Sequence, residues 1–191
     1  MIRLQNTKTI SGQSYPAGSI VNLDSAIESH LVEIGDAKVY PLISRPIEIL
    51  SGSAVAVACA STSFDETLAS FLIPAGALGV NSVLQIEPLW TFTSSANNKV
   101  LKVKIGGATV YSATRTAAVK EGPLVVLANR NSLASQFQPY DNNYVTDGSG
   151  IPATYAIDFS VNQTVQITGQ RASGNDALTL EYFRVLHFIG E

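Results

Sequence analysis

Residues 82–112 read SVLQIEPLWTFTSSANNKVLKVKIGGATVYS and show the pattern of three antiparallel strands joined by two turns. In the first strand, alternate residues from Leu84 to Phe92 carry most of the apolar bulk, which is typical of a strand with one buried face. A polar loop then returns the chain into the second strand. Gly106 and Gly107 supply the pair of positive φ angles that a two-residue hairpin needs before the third strand. The stretch therefore predicts a β scaffold.

Strand patterns of the same kind recur through the rest of the chain. Their spacing is typical of an all-β sandwich, and we expect strands at 67–73, 83–92, 100–105, 109–113, 124–128, 153–159, 164–169 and 178–188. Eight strands in two sheets are the number found in a jelly roll. The sequence predicts a mainly β protein whose residues 64–191 form an antiparallel β-sandwich of the jelly-roll type. Residues 129–152 are too long for a simple turn, and we expect any specific contact of this domain there.

The first forty residues predict a small separate unit, a hairpin followed by a short helix. Asp24 is placed to cap the helix N-terminus, and Gly35 is suited to end it. One face of this helix carries the apolar residues Ile27, Leu31 and Ile34. A unit this small buries little surface by itself, so residues 1–40 are expected to pack through that face against either the main domain or another protein.

Residues 41–63 are expected to hold a linker and the first strand. The stretch 41–52 contains two prolines and predicts either a linker or a first edge strand. Residues 54–60 are small and apolar, which predicts a strand that packs where another surface comes close, or else an ordinary buried strand.

Composition argues against several functional classes. Charged residues make up 14% of the chain and the formal net charge is −3, so no nucleic-acid partner is expected. A single cysteine allows no intrachain disulfide and no cysteine-based zinc site. The N-terminal residues lack the apolar core of a signal peptide, and the chain has no apolar run of membrane-spanning length. We therefore expect no membrane partner and synthesis in the cytoplasm.

The sequence offers no recognisable catalytic machinery. It contains none of the common motifs for zinc, nucleotide or serine-hydrolase chemistry. His30 lies off the apolar face of the predicted helix, and His187 is expected to be structurally satisfied or to face solvent. No catalytic residue, cofactor or metal is predicted, and the protein is expected not to be an enzyme.

Three groups of polar or aromatic residues are candidate sites. Residues 141–148 alternate Asp and Asn as calcium loops do, but they lack a third alternate ligand and a closing glutamate, so a solvated turn is favoured.

The nearby aromatic residues could stack on a sugar, fill an interface pocket or anchor their own loop. They are Phe137, Tyr140, Tyr144 and Tyr155. The first three are candidate partner contacts. The strand lysines are predicted to be solubilising surface residues; they are Lys99, Lys102 and Lys104.

Two stretches resemble tailed-bacteriophage virion proteins. Residues 73–112 begin IPAGALGVN and continue through the Trp-bearing strand, the SSANNK loop and the lysine-valine strand that ends in Gly-Gly. This succession resembles a pattern met in phage head and tail structural proteins. Residues 15–39, YPAGSIVNLDSAIESHLVEIGDAKV, are similar to a small module of phage head-region proteins, in which a hairpin leads into a short helix.

The resemblance implies a jelly-roll-like domain that assembles on a virion as a symmetric oligomer, a homotrimer. A capsid cement or decoration protein would bind the major capsid protein or another virion protein, after synthesis in the cytoplasm of the bacterial host. The alternative is a tail-fibre, head-fibre or spike component whose 129–152 loop binds a receptor or glycan. A third class, a glycan hydrolase, would need a carboxylate pair such as Asp141 with Asp147 or Glu181. The absence of heptads or a repetitive shaft favours the cement role.

Overall fold

The computed structural model of the protein describes residues 2–4, 8–10, 13–15, 20–21, 37–39, 47–138 and 152–190. The chain divides into two compact units, Met1–Arg45 and Pro46–Glu191. No helix occurs among the described residues, and none of these residues therefore forms a helix that could cross a membrane.

The described residues of the first unit form five short strands. They are β1 (Ile2–Leu4), β2 (Lys8–Ile10), β3 (Gln13–Tyr15), β4 (Ile20–Val21) and β5 (Ala37–Val39). Strand β1 pairs antiparallel with β4 and β5, and β2 pairs with β3. The predicted helix, with Ile27, His30, Leu31 and Ile34, lies outside the described residues.

In the second unit the described residues form twelve further strands. They are β6 (Ile47–Ser53), β7 (Val57–Ala58), β8 (Glu66–Ile73), β9 (Val83–Phe92), β10 (Lys99–Ile105), β11 (Ala108–Arg115), β12 (Lys120–Glu121), β13 (Val125–Asn129), β14 (Gln136–Gln138), β15 (Ala153–Tyr155), β16 (Gln163–Arg171) and β17 (Leu178–Phe188). The expected strands at 67–73, 83–92, 100–105, 109–113, 124–128, 164–169 and 178–188 are confirmed, most within two residues at each end.

These strands form two antiparallel sheets with jelly-roll topology. The four-stranded sheet has the order β11-β10-β16-β8. The large sheet has the order β15-β14-β13-β9-β17-β6, with β12 paired to β9 and β7 paired to β17. Numbering the eight principal strands from β6 to β17 gives the orders 1-8-3-6 and 2-7-4-5, so the chain passes repeatedly from one sheet to the other, as in a jelly roll. The predicted fold class is confirmed.

Alternation along the strands places the core between the sheets. Every second residue of β9 from Leu84 to Phe92 is buried, and β10 alternates in the same way. The ring of Trp90 on the large sheet stacks on that of Tyr111 on the four-stranded sheet, with 6.2 Å between centroids. Apolar residues of both sheets thus pack into one cluster, which removes their surface from water and holds the sandwich together.

The β10–β11 hairpin turns as the sequence predicts. Ile105 pairs with Ala108, so the loop has two residues, and both lie at positive φ: 57° at Gly106 and 83° at Gly107. That combination defines the type I′ turn, whose twist matches the twist of the flanking strands.

Three expectations about the strands need correction. Residues 54–60 do not form a continuous strand, because only Val57–Ala58 pair with β17 and most of the segment is exposed. Residues 153–159 form a strand only over Ala153–Tyr155. Within 129–152 the sequence missed β14, whose inward residues Gln136 and Gln138 are held by amide hydrogen bonds instead of apolar packing. The stretch 41–52, left open as linker or edge strand, holds β6 at the edge of the large sheet.

Candidate interaction surface

The outer face of the large sheet carries an apolar row across five strands. Strand register places these side chains side by side in the order Ile47, Phe188, Val83, Ala128 and Phe137. A second row follows one pleat further along, with Ile49, Leu186, Gln85 and Val126. We call the apolar members of the two rows the apolar face: Ile47, Ile49, Val83, Val126, Ala128, Phe137, Leu186 and Phe188.

The apolar face points away from the core. Its residues alternate in sequence with buried ones such as Leu84 and Val185, and none of its members packs against the core cluster. Ile49 is 76% exposed, Ile47 47% and Phe137 37%. Isolated exposed apolar side chains are ordinary on protein surfaces, but a contiguous apolar patch is typical of a contact with another molecule.

The outer face of the four-stranded sheet is different. Its central row runs across four strands as Ser70, Gln166, Lys104 and Thr109. The next row holds Thr168, Lys102 and Ser112. Polar side chains on an outer sheet face are what water favours. The two outer faces of one sandwich thus differ in chemistry.

A charged pair borders the apolar face. Arg184 and Glu87 are cross-strand neighbours, and the Arg184 guanidinium donates to the Glu87 carboxylate. This contact raises the pKa of Arg184 further above its usual value. The amide of Gln85 also donates to Glu87. The polar groups beside the apolar face therefore satisfy one another and add no net charge to it.

Phe137 lies at one end of the first row. The guanidinium of Arg130 lies over its ring, with Cζ 5.1 Å from the ring centroid, a cation–π contact. Phe137 is thus a sequence-predicted contact residue that lies on the apolar face. The other candidates Ile27, Leu31, Ile34, Tyr140 and Tyr144 lie outside the described residues, as do Asp141 and Asp147.

The members of the apolar face on β6 and β17 were not found from the sequence. Strand β17 carries apolar residues at both parities, with Val185 inside and Leu186 and Phe188 outside. That double apolar pattern signals a strand covered on both faces, and it is the signal that could have identified the surface. Ile47 and Ile49 gave no such signal, because their stretch was equally compatible with a linker.

The described titratable groups with shifted pKa values serve structural contacts. Burial, reinforced by the hydrogen bond to Glu121, raises the pKa of Tyr111 well above its usual value. The same carboxylate accepts from Arg115, with 2.7 Å from Nη2 to Oε1. Since Tyr111 and Arg115 lie on the four-stranded sheet and Glu121 pairs with the large sheet, the contact joins the two sheets.

His187 is structurally satisfied, as one of the two expectations had it. Its ring is 3% exposed, with Nε2 2.8 Å from Ser82 Oγ and Nδ1 3.4 Å from Glu48 Oε2. Glu181, considered as a hydrolase carboxylate, accepts a hydrogen bond from Thr91. In the part of the chain that the structure describes, no three His, Cys, Asp or Glu side chains cluster as metal ligands would.

The surface role expected for the strand lysines is wrong for Lys99. Its side chain is fully buried, and Nζ donates to Ser95 Oγ at 2.7 Å and to the Thr116 carbonyl at 3.1 Å. Lys99 has the parity of Leu101, so it points into the sandwich, whereas Lys102 and Lys104 point outward. Those two both bind Asp65, with Nζ–Oδ2 distances of 2.9 and 2.7 Å.

Comparison with known proteins yields only remote structural likenesses. No protein-family model and no curated protein matches the chain. Among solved structures, the CBM36-1 domain of a multidomain xylanase from the hindgut metagenome of Trinervitermes trinervoides is similar at 11% identity and a TM-score of 0.33, over 71% of this chain and 96% of that one. The CBM2 module of the evolved Dit of Lactobacillus casei BL23 phage J-1 is similar at 11% identity and a TM-score of 0.33, over 64% of this chain and 69% of that one. The VP2 subviral particle of infectious bursal disease virus is similar at 12% identity and a TM-score of 0.28, over 81% of this chain and 45% of that one. Likeness of this degree carries no information on ligand or partner.

Proposed function

We propose that this chain is a non-enzymatic structural protein of a tailed-phage virion, a cement or decoration protein that binds the assembled shell and stabilises it. The structural observation that carries the proposal is the contrast between the apolar outer face of the large sheet and the polar outer face of the other sheet. A β-sandwich with one apolar outer face is suited to assembly with other proteins. The phage setting rests on the resemblance of residues 15–39 and 73–112.

The mechanism is thermodynamic linkage. A protein that binds the closed shell but not its dispersed subunits shifts the equilibrium toward the shell. At a free concentration about 100 times its dissociation constant, each bound site contributes about 2.7 kcal/mol to the assembled state. No chemical step is required, and the described residues need only provide a stable body and contact surfaces.

The test uses phage particles that lack the chain and purified chain added back. We expect particles without it to release DNA at a lower temperature, measured with a DNA-binding dye during heating, and the added protein to restore the original temperature. Adsorption to host cells should be the same in all samples. Unchanged DNA release together with lost adsorption would contradict the cement role and favour a fibre or spike component.

The purified chain also tests the absence of enzyme activity. Purified protein incubated with host surface polysaccharide should release no oligosaccharide. Release that is lost in Asp141→Ala or Asp147→Ala, two of the carboxylates considered for hydrolysis, would contradict the proposal and favour a depolymerase.

The role proposed for residues 1–40 is attachment. Their predicted apolar face, with Ile27, Leu31 and Ile34, would bind the major capsid protein or another virion protein. Deleting residues 1–40 should then lower the amount of chain bound per particle in a gel of purified virions. Full occupancy by the truncated chain would contradict this role.

A further inference from the structure

We propose that copies of this chain contact one another through the apolar face, so that the protein is a homo-oligomer held by the outer side of its large sheet. The inference rests on the proposed function, because it names the partner that this surface receives. In such an oligomer the outer side of the large sheet is buried between copies, and the outer side of the four-stranded sheet faces solvent.

The chemistry of the face fits a protein surface better than a glycan. Its members are aliphatic or aromatic, and the one amide in its rows, Gln85, already donates to Glu87. A polysaccharide needs several free hydrogen-bonding groups in fixed positions, since its hydroxyls lose water on binding. A buried protein interface needs the opposite, a core depleted of charge with polar groups at its rim.

The charge of the face fits a second copy of the same chain. The chain as a whole carries a formal net charge of −3, so two copies placed at random repel each other. On this face Arg184 balances Glu87, and Arg130, which is exposed, lies over Phe137 at the end of the first row. Two such faces can approach with the Arg130 charge at the rim of the contact, which avoids the main cost of a self-interface.

The area also fits. The strands of the large sheet are three to eleven residues long along its main path. At about 16 Å² of flat sheet per residue, they span roughly 600 Å² before the relief of the side chains is added. A stable interface buries about 800 Å² on each partner, so such a contact takes up the whole outer side of the sheet with the relief of its side chains, and the apolar face is one part of it.

The face continues to an open sheet edge. Strand β6 (Ile47–Ser53) pairs with β17 on one side, and among the described strands it is the last of the sheet on the other. Its first three residues are exposed, and two of them are isoleucines of the apolar face. Edge strands of this composition are prone to associate unless something covers them. A neighbouring copy on the apolar face would cover this side as well.

The test compares single substitutions in the full-length chain by light scattering after gel filtration, from about 1 to 100 µM. The wild type should have about twice the mass of the 20.2 kDa chain, because a face that contacts the same face of another copy forms a two-fold dimer. Ile49→Asp and Phe137→Asp, at opposite sides of the face, should each weaken association by roughly 30-fold or more. Leu72→Asp is the matched control, because Leu72 is 53% exposed on the edge strand of the other sheet and should leave the mass unchanged.

A wild-type monomer over the whole range would overturn the inference, and so would unchanged oligomers in both face variants when circular dichroism shows all proteins folded. Shell binding, measured separately, distinguishes this inference from the proposed function. A monomer that still raises the DNA-release temperature leaves the cement role intact and overturns only the inference. An oligomer that disperses on Ile49→Asp but does not bind shells supports the inference and contradicts the cement role.

Discussion

Lys99 and Asp176 form an ion pair inside the sandwich, with 3.5 Å between Nζ and Oδ2 and less than a tenth of either side chain exposed. Burial alone raises the pKa of Asp176, but hydrogen bonds from Ser95 and Asn97 and the charge of Lys99 bring it below the usual value. Ser95 Oγ lies within hydrogen-bond distance of both charged groups, at 2.8 Å from Asp176 Oδ2. The contact therefore fixes the loop before β10 against the loop before β17.

Replacing Lys99 by methionine should destabilise the protein strongly. The substitution keeps the volume of the side chain but leaves the Asp176 carboxylate buried without its cation, and the loss of one partner from a buried pair is costly. We expect the melting temperature in calorimetry to fall by on the order of 10 °C. Lys120→Met is the control, because Lys120 is exposed, and it should change the melting temperature by less than about 2 °C. Equal effects of the two substitutions would contradict the role of the pair.

Lys99 also shows where sequence patterns lose information. Alternation alone places it inside with Leu101, Val103 and Ile105. The expectation that lysines are exposed outweighed that pattern, because the partner that permits burial, Asp176, is distant in sequence. A buried charge can be recognised only together with its partner, and strand periodicity contains no information about pairing between distant loops.

The fold can be predicted from the sequence because the patterns that specify it are local. The alternation in β9 and the Gly106–Gly107 turn each specify structure within a few residues, and the number and spacing of the strands indicate the class of fold. The apolar face could not be predicted from the sequence in the same way. Ile47, Phe188 and Phe137 become neighbours only through the register of strands that are far apart in sequence.

Asp65 should make stability depend on pH in the acid range. Burial alone raises its pKa, but hydrogen bonds from Lys104 and Lys102 and their charges bring it below the usual value. A carboxyl group whose pKa is lowered on folding stabilises the folded state above its unfolded pKa of about 4, and this contribution disappears as the pH falls through the lower folded value. Asp65→Asn should therefore lower the free energy of unfolding by about 1 kcal/mol at pH 7.

Urea titrations at pH 7, 5 and 3 measure this difference directly. The gap between wild type and Asp65→Asn should be largest at pH 7 and 5 and should shrink toward zero at the most acid pH at which the protein remains folded. A gap that is the same at every pH would show that Asp65 acts through packing and not through its charge.

Cys59 should be a slow-reacting thiol that reports on unfolding. It is 3% exposed, and burial, with a smaller contribution from the hydrogen bond to Glu66, raises its pKa to about 11. Only the thiolate reacts, so at pH 8 the native protein should react with a disulfide reagent on the order of 100-fold more slowly than a free thiol. Full reaction should appear in urea. The chain has one cysteine, so the absorbance signal has a single source, and rapid reaction of the native protein would contradict the burial of this residue.

The two glycines of the β10–β11 turn should differ in how they tolerate alanine. Gly107 has φ of +83° and open space where a Cβ would lie, so Gly107→Ala should lower the free energy of unfolding by about 1–2 kcal/mol through backbone strain alone. At Gly106, φ is +57° and the new Cβ would also overlap the amide oxygen of Gln163. Moving that amide breaks its 2.6 Å hydrogen bond to the Asp158 carbonyl, which adds about 1 kcal/mol to the loss of stability.

Gly174→Ala is the control, because Gly174 has open space and no positive φ, and it should change the free energy of unfolding by less than about 0.5 kcal/mol in the same urea titrations. The expected order of loss is Gly106, Gly107, Gly174, and a loss at Gly107 as small as at Gly174 would show that the turn does not require positive φ.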